Sequence, residues 1–431
     1  MRKINIGIIG FGTVGSGVVK ILRDKKSFLA EKTGIEICIK KICDKDLVSK
    51  RNVSVDKKLL TKSALEVIFD PQIDIIVELM GGIHPAKEFI IEALKKGKNI
   101  VTANKALLAQ DGSELFALAA DRGKSIYFES AVGAGIPIIK SLRESLAANT
   151  FSSIYGIVNG TSNFVLSRMS QEGCNFTDAL NEAKKLGFAE SNPTLDIEGI
   201  DSAHKLILLT YLAFGKMVNL KDVHIEGISQ ILPADIVYAK ELGFEIKLLA
   251  IAKKEGDGLE VRVHPTFIPK THLLASVSGI FNAIYAESDL AGDLLFYGPG
   301  AGQMAAASGV VSDLIDLTQD IKAGLFRPTM NIVADKSIKR LCNIGDYESR
   351  YYIRFMANDK PGVLAKISGI LAKYGISIAS VTQKERSRSH VVPIVMVIHE
   401  AREKDLCNAL SAIDRLDTIK EKSVAIRIEE V

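Results

Sequence analysis

Cysteine is scarce. The 431 residues hold five, Cys38, Cys43, Cys174, Cys342 and Cys407. None forms a CxxC pair and none sits at metal-ligand spacing, so neither a disulfide scaffold nor a zinc site is indicated. Cys38 and Cys43 fall in an expected strand and at its end, where a thiol acts as a small apolar filler. That usage suits a reducing compartment. Long apolar runs are missing as well. No stretch approaches the roughly 18 residues of a membrane span. The start, MRKINIGIIGFG, lacks the run length and small-residue cleavage site of a signal peptide, so the expected location is cytoplasmic. An excess of one charge is also absent. A net charge of +4 on this length gives no reason to expect nucleic acid or an anionic membrane as a partner. Neither a long repeat nor a low-complexity segment appears.

What is present is 47% hydrophobic residues in a chain too long for a single core, which predicts two or three domains. Residues 1–130 alternate strand and helix. INIGIIG (4–10), IEICIKKIC (35–43), IDIIVEL (73–79), NIVTA (99–103) and SIYFES (125–130) read as apolar strands. VVKILRDKKSFLAEKT, PAKEFIIEALKKG and SELFALAADRG read as helices. Such alternation predicts a doubly wound parallel sheet covered by helices on both faces. From 131 to about 330 the pattern is mixed α+β. FSSIYGIVNG (151–160), LEVRVHPTFI (259–268) and FNAIYAES (281–288) read as strands, the last two antiparallel. Helices are expected near 177–187, 202–214, 233–243 and 305–321. Residues 326–349 read as a linker, and 350–431 follow the order β-α-β-β-α-β, a ferredoxin-like pattern.

Gly10-Phe11-Gly12-Thr13-Val14-Gly15 is GxGxxG between a buried strand and a helix. The glycines allow a tight turn and close approach of backbone to a pyrophosphate, and the helix start offers free N–H groups to it. A dinucleotide is therefore expected. The second strand ends in Cys43-Asp44-Lys45-Asp46, where an acid favours NAD and a base favours NADP. Both are present, so the choice stays open. Asn104 and Lys105 follow the strand NIVTA at the sheet edge where ligands sit in open α/β folds. In FESAVGAGIP (128–137), Glu129 precedes a glycine-rich turn. It could serve a small hard cation through exposed carbonyls, or simply a flexible domain crossover.

GFAESNPTLDIEGIDSAHK (187–205) gathers Glu190, Asp196, Glu198, Asp201 and Lys205. Asp201 and Lys205 are i, i+4 on an expected helix and share a face. On the surface such a pair is worth well under about 1 kcal/mol. The following run LILLTYLAF argues for burial instead, and a buried lysine beside carboxylates suits proton transfer. With a hydride-carrying cofactor, these parts predict reduction of a carbonyl on an amino-acid-like molecule. The acids would hold its ammonium group, and lysine would supply the proton.

These strings, with ELMGGIHPAKEFIIEALKKGKNIVTANKALLA, ESAVGAGIPII, GIVNGTSNFVLSRM and YGPGAGQMAAASGVVSDLID, resemble homoserine dehydrogenase over most of residues 1–325. The resemblance implies NAD(P)-dependent interconversion of L-aspartate 4-semialdehyde and L-homoserine, toward threonine, methionine and isoleucine. It implies a cofactor site at the glycine loop, including Thr13 and Val14, with Lys105 near cofactor and substrate and Gly302 returning to the nicotinamide. Gly160, Thr161, Glu190, Asp196 and Asp201 match its substrate positions, and Lys205 its proposed proton donor, with Lys105 as the rival. Glu129, Val132, Ala134 and Ile136 match a sodium or potassium site. The family often has an arginine at the end of the second strand; here Lys45 is the nearest base. NDKPGVLAKISGILAKYGISI resembles an ACT domain, whose ligand corner would be Asn358, Asp359, Gly362, Val363 and Leu364, with threonine as the implied effector.

The expected organisation is a Rossmann-type domain at 1–130, completed by about 301–325. A catalytic and dimerisation domain follows at 131–300, then the linker, then the ACT domain at 350–431. A homodimer or homotetramer is expected. The competing readings are another Rossmann-type amino-acid dehydrogenase and a non-catalytic amino-acid sensor.

Overall fold

The buried run Ile4, Ile6, Ile8 and Ile9 forms strand β1 (Arg2–Ile9) in a computed structural model that describes residues 2–326, 333–383 and 391–430. The C-terminal part of the expected linker, 333–349, is described; its residues 327–332, and Lys384 and Glu385 of the expected strand SIASVTQKE, lie outside the described residues. The chain divides into two units. One comprises 1–160, 201–221 and 280–335, and the other 161–200, 222–279 and 336–431.

In the first unit β1 lies inside a six-stranded sheet with β2 (Ile35–Cys43), β3 (Leu60–Thr61), β4 (Ile75–Glu78), β5 (Asn99–Thr102) and β6 (Ile126–Tyr127). The order is β3-β2-β1-β4-β5-β6, and neighbouring strands pair parallel throughout. Strand order reverses between β1 and β4, which makes the crevice beyond their C-terminal ends the ligand edge. Helices α1 (Thr13–Asp24), α2 (Lys26–Thr33), α3 (Ala64–Ile68), α4 (Ala86–Lys95) and α5 (Lys105–Asp121) connect the strands. The short α6 (Ile138–Lys140) leads toward β7 (Phe151–Ile157).

Three expectations change here. The single helix expected over 18–33 breaks at Lys25 into α1 and α2. Val18, Val19, Ile21 and Leu22 are buried, but the following Arg-Asp-Lys-Lys offers nothing to bury. Helix α5 starts at Lys105 rather than 113, because Leu107 and Leu108 are buried and Asn104 caps the helix through the Leu107 amide. The strand expected over 125–130 stops at Tyr127. The Glu129 amide turns away and donates to Asp313 at 2.8 Å, and a 3-10 turn, Glu129–Ala131, follows.

Helix α12 (Gln303–Ala323) packs on α1 and buries Val310, Val311, Leu314 and Leu317 in the same core as β1. Strand β11 (Phe281–Ser288) pairs antiparallel with β7 on one side and with β12 (Gly292–Pro299), absent from the sequence reading, on the other. The strand expected over 151–160 ends at Ile157, and helix α7 (Gly160–Glu172) begins at Gly160. Its hydrophobic period is weak because Ser162, Asn163 and Ser167 are buried polar residues bonded to backbone carbonyls.

The second unit holds α8 (Phe176–Lys185), α9 (Thr194–Ile197), β8 (His224–Ile225), α11 (Pro233–Glu241), β9 (Phe244–Glu255) and β10 (Gly258–Pro269). Residues 259–268 do form an antiparallel pair, but with the unforeseen β9. Helix α10 (Ile200–Phe214) is discussed below. After β13 (Arg340–Leu341) come β14 (Glu348–Asn358), α13 (Val363–Lys373), β15 (Ile378–Thr382), β16 (Val391–Arg402), α14 (Glu403–Ile413) and β17 (Val424–Ile428). That is the expected ferredoxin-like order. Its own core contains Ile353, Phe355, Ile367, Leu371, Met396 and Leu406. Strand β17 also pairs parallel with β10, Thr266 opposite Arg427. Asp235 of α11 accepts from Arg354 at 2.7 Å and Tyr352 at 2.8 Å, all three buried. Arg427 is held by Glu226 and Glu403.

Candidate functional site

At the reversal of strand order, the positive φ of Gly10 (103°) turns the chain out of β1, and its amide donates to the Cys43 carbonyl at 2.8 Å. A Cβ on Gly10 would lie 2.5 Å from the Leu79 carbonyl carbon, and one on Gly15 would lie 2.1 Å from the Gly10 oxygen. A Cβ on Gly12 would meet nothing within 4 Å. Gly12 is the N-cap of α1, and no side chain caps that helix start. Two glycines are thus required for packing and the third faces open space at uncapped amides, which fits a bound pyrophosphate. Phe11 is buried, and Thr13 and Val14 open α1. Gly302, at φ 118°, caps α12, and its neighbour Gln303 donates to Ser16 of α1 at 2.9 Å.

The loop after β2 brings a residue missed in the sequence to the glycine loop. Arg51 donates to the Phe11 carbonyl at 3.0 Å, and its guanidinium lies 5.5 Å from the centre of the Phe11 ring. Asp44 accepts from the Phe11 amide at 2.5 Å and from the Asp46 amide at 2.8 Å, so both its oxygens already serve backbone. Lys45 is exposed. Eight positions separate Arg51 from β2, and only the fold of that loop returns it.

Helix α10 carries Asp201 and Lys205 in its first turns, with Leu206, Ile207, Leu208 and Leu209 fully buried behind them. Both charged residues are buried. Lys205 Nζ donates to Asp201 Oδ2 at 2.7 Å and to the Val158 carbonyl at 2.5 Å. Asp201 Oδ2 also accepts from Asn159 Nδ2 at 2.9 Å, and Oδ1 lies 3.1 Å from Lys105 Nζ. Burial alone would raise the Asp201 pKa, but Lys205 and Lys105 outweigh it and hold the carboxyl well below the usual range. Two ammonium groups and one carboxylate leave one net positive charge, suited to oxygen that becomes negative. Asn159, within the string NGTSN, was overlooked; a polar residue just past a strand was its only signal.

The other expected substrate residues fall as follows. A Cβ on Gly160 would come 2.9 Å from the Ile280 carbonyl. In the second unit, Thr161 donates to the Phe188 carbonyl at 2.7 Å, two residues before the exposed Glu190. Ser162 donates to the Asp196 carbonyl at 2.8 Å.

The carboxylate of Glu129 accepts from the Ile139 and Lys140 amides at 2.9 and 2.8 Å, and burial pushes its pKa up to about 7. Ala134 has φ 53°, the positive-φ non-glycine among the described residues, and the Ile136 carbonyl accepts from Ile138 at 2.8 Å. Val132 is buried beside them. No group of three or more His, Cys, Asp or Glu able to hold a metal occurs among the described residues. One buried carboxylate in a turn of carbonyls suits a monovalent cation better than a divalent one.

At the ACT-like corner Gly362, φ 88°, caps α13 without a side-chain cap, and a Cβ there would meet nothing within 4 Å. Asp359 accepts from Gln383 at 3.4 Å, and the Asn358 amide donates to Thr418. Val363 is buried, so only its backbone can face a ligand, whereas Leu364 is exposed. Among the described residues no helix is long and apolar enough to cross a membrane, and the five cysteines are free.

Comparison with known proteins gives three family matches. Residues 10–129 match the homoserine dehydrogenase NAD binding domain, 137–315 match homoserine dehydrogenase, and 351–418 match the ACT domain. The homoserine dehydrogenase of Neisseria gonorrhoeae is 42% identical, with 100% of both chains covered. A crystal structure of a homoserine dehydrogenase from Thiobacillus denitrificans is 42% identical and superposes with a TM-score of 0.91, covering 100% of this chain and 99% of that one. A hyperthermophilic archaeal homoserine dehydrogenase in complex with NADPH is 30% identical, with a TM-score of 0.64 over 76% of this chain and 100% of that one.

Proposed function

This chain belongs to the homoserine dehydrogenase family and interconverts L-aspartate 4-semialdehyde and L-homoserine; we propose that Lys205 supplies the proton in that reaction. The nicotinamide, when bound, supplies the hydride. The chain's own residues then deal with the charge that develops on the substrate oxygen. The observation that carries the reading is the buried Lys205 ammonium, fixed by Asp201 and the Val158 carbonyl. A lysine held in one place costs no reorganisation when the carbonyl oxygen becomes an alkoxide. Asp201 fixes Lys205 and brings Lys105 close, so Lys105 orients the substrate while Lys205 protonates it. Gly160, Thr161, Glu190, Asp196 and Asp201 bind substrate, with Glu190 and Asp196 taking its ammonium group.

NADP is the preferred cofactor in this reading. Asp44 is committed to backbone amides, whereas Arg51, though it donates to the Phe11, Ser49 and Asp46 carbonyls, sets a guanidinium beside the glycine loop and favours a 2′-phosphate. The NADPH-bound archaeal relative supports this choice. Glu129, with the carbonyls of Val132, Ala134 and Ile136, holds sodium or potassium. The uncapped start of α13 binds the carboxylate of an amino-acid effector, threonine, against Asn358 and Asp359. Free cysteines support a cytoplasmic location. Exposed Leu295 and Tyr297 on β12 support assembly into a homodimer or homotetramer.

The test follows NADPH oxidation by aspartate semialdehyde with Lys205→Ala. Turnover should fall by about 100-fold or more while NADPH affinity stays within a few fold. Near-normal kcat would pass the role to Lys105.

A further inference from the structure

We infer that Glu78 is a positioning residue for this reaction, setting Lys105 through Thr102 and Asn104; the inference rests on the reading of Lys105 as a substrate-orienting group. Glu78 ends β4 and has no exposed surface. An interior carboxylate is costly unless its oxygens are met by donors, and here they are. Glu78 is in register with Thr102, the last residue of β5, and accepts its hydroxyl at 2.6 Å. It also accepts the Met80 amide at 2.9 Å, and the Gly81 amide and Asn104 side chain favour its charged form.

Two arms leave this hub. Along one, Thr102 Oγ1 accepts the Asn104 amide at 3.0 Å, and Asn104 Oδ1 caps α5 through Leu107 at 3.2 Å. Lys105 is the first residue of that helix, so its Cα is fixed by the cap, and its ammonium reaches Asp201 at 3.1 Å. Along the other, the Met80 amide ties Glu78 to the loop on which Gly10 leans. Asn104 Nδ2 closes the bracket by donating to the Gly82 carbonyl at 2.6 Å. A single buried carboxylate thereby ties the cofactor-side loop to the helix start that presents Lys105. Lysine has a long flexible stem and only one end fixed by the helix, so an ångström of drift at its Cα moves the ammonium away from the substrate oxygen.

The test is a double-mutant cycle on the full chain, with kcat, KM and melting temperature measured for Glu78→Gln, Lys105→Ala and the pair. Glu78→Gln keeps the volume but loses the charge-assisted bonds. It should lower kcat by between about tenfold and a hundredfold with little change in the KM for NADPH. In the Lys105→Ala background the same change should cost less than about twofold, because Glu78 acts through Lys105. Equal losses in both backgrounds would mark Glu78 as merely structural and overturn the inference. If Glu78→Gln does not fold, Thr102→Val cuts the same arm and is judged by the same comparison. Full activity of Lys105→Ala would overturn both this inference and the reading of Lys105, whereas additivity overturns this inference alone.

Discussion

Lys205 Nζ lies 2.7 Å from Asp201 Oδ2, one helical turn earlier, and both residues are buried. An exposed pair at this spacing would be worth a few tenths of a kcal/mol. Here the carboxylate is shared with Lys105 and Asn159, so removing it strands an ammonium in the interior.

Asp201→Asn should therefore destabilise the enzyme by about 3 kcal/mol at pH 7. The folded-state pKa of Asp201 is depressed, so its contribution is fully present above the unfolded value near 4 and is lost as pH falls below it. Urea denaturation of wild type and variant at pH 7, 5 and 3.5 should show the gap narrowing only at the lowest pH. A constant gap would mean that the carboxylate charge is not what stabilises.

Arg51→Ala should lower kcat/KM for NADPH about tenfold or more, the scale of a lost charge-assisted phosphate contact. The value for NADH should change far less. Steady-state rates with the two cofactors decide it; equal losses would show that Arg51 serves only its loop.

Burial raises Glu129 to about pKa 7. A raised carboxylate favours the protonated folded state, so with no cation present stability declines as pH rises from about 4.5 to about 7. Sodium or potassium chloride, compared with choline chloride at equal ionic strength, should raise the melting temperature at pH 8 and do little at pH 5. Glu129→Gln should abolish the difference, and an equal cation effect in that variant would remove Glu129 from the site.

Threonine should inhibit the intact enzyme, and Asp359→Ala should relieve inhibition while leaving basal kcat unchanged. Truncation at 350 is not a clean test. It removes Arg354 from the buried Asp235 and Arg427 from Glu226, and strips β17 from β10. A buried charge left alone costs several kcal/mol, so the truncated chain should unfold or aggregate. Undiminished activity of wild type at saturating threonine would refute the effector.

The glycine loop, the parallel strands and the β-α-β-β-α-β ending were legible because each follows from local rules: uninterrupted apolar strands, glycine where a side chain cannot fit, and turns between periodic segments. The pairing of Asp201 with Lys205 was legible too, since i, i+4 spacing on a helix is fixed by geometry. Strand β9 and helix α7 were not. The first follows the helix expected over 233–243 as an unbroken buried run with no in-out alternation to mark it as a strand, and the second hides its stripe behind buried polar residues whose partners are distant in sequence.

The sequence by itself determined which residue types could do this chemistry and that a lysine and a carboxylate share one face of a helix. Only the tertiary structure decided that the pair is buried, that Lys105 reaches the same carboxylate across 96 positions, that Arg51 returns to the glycine loop, and that Glu78 braces Lys105's helix. The reason is physical. Spacing along one element is set by backbone geometry, whereas burial and the meeting of separate elements depend on which cores form, and those are settled by packing over the whole chain.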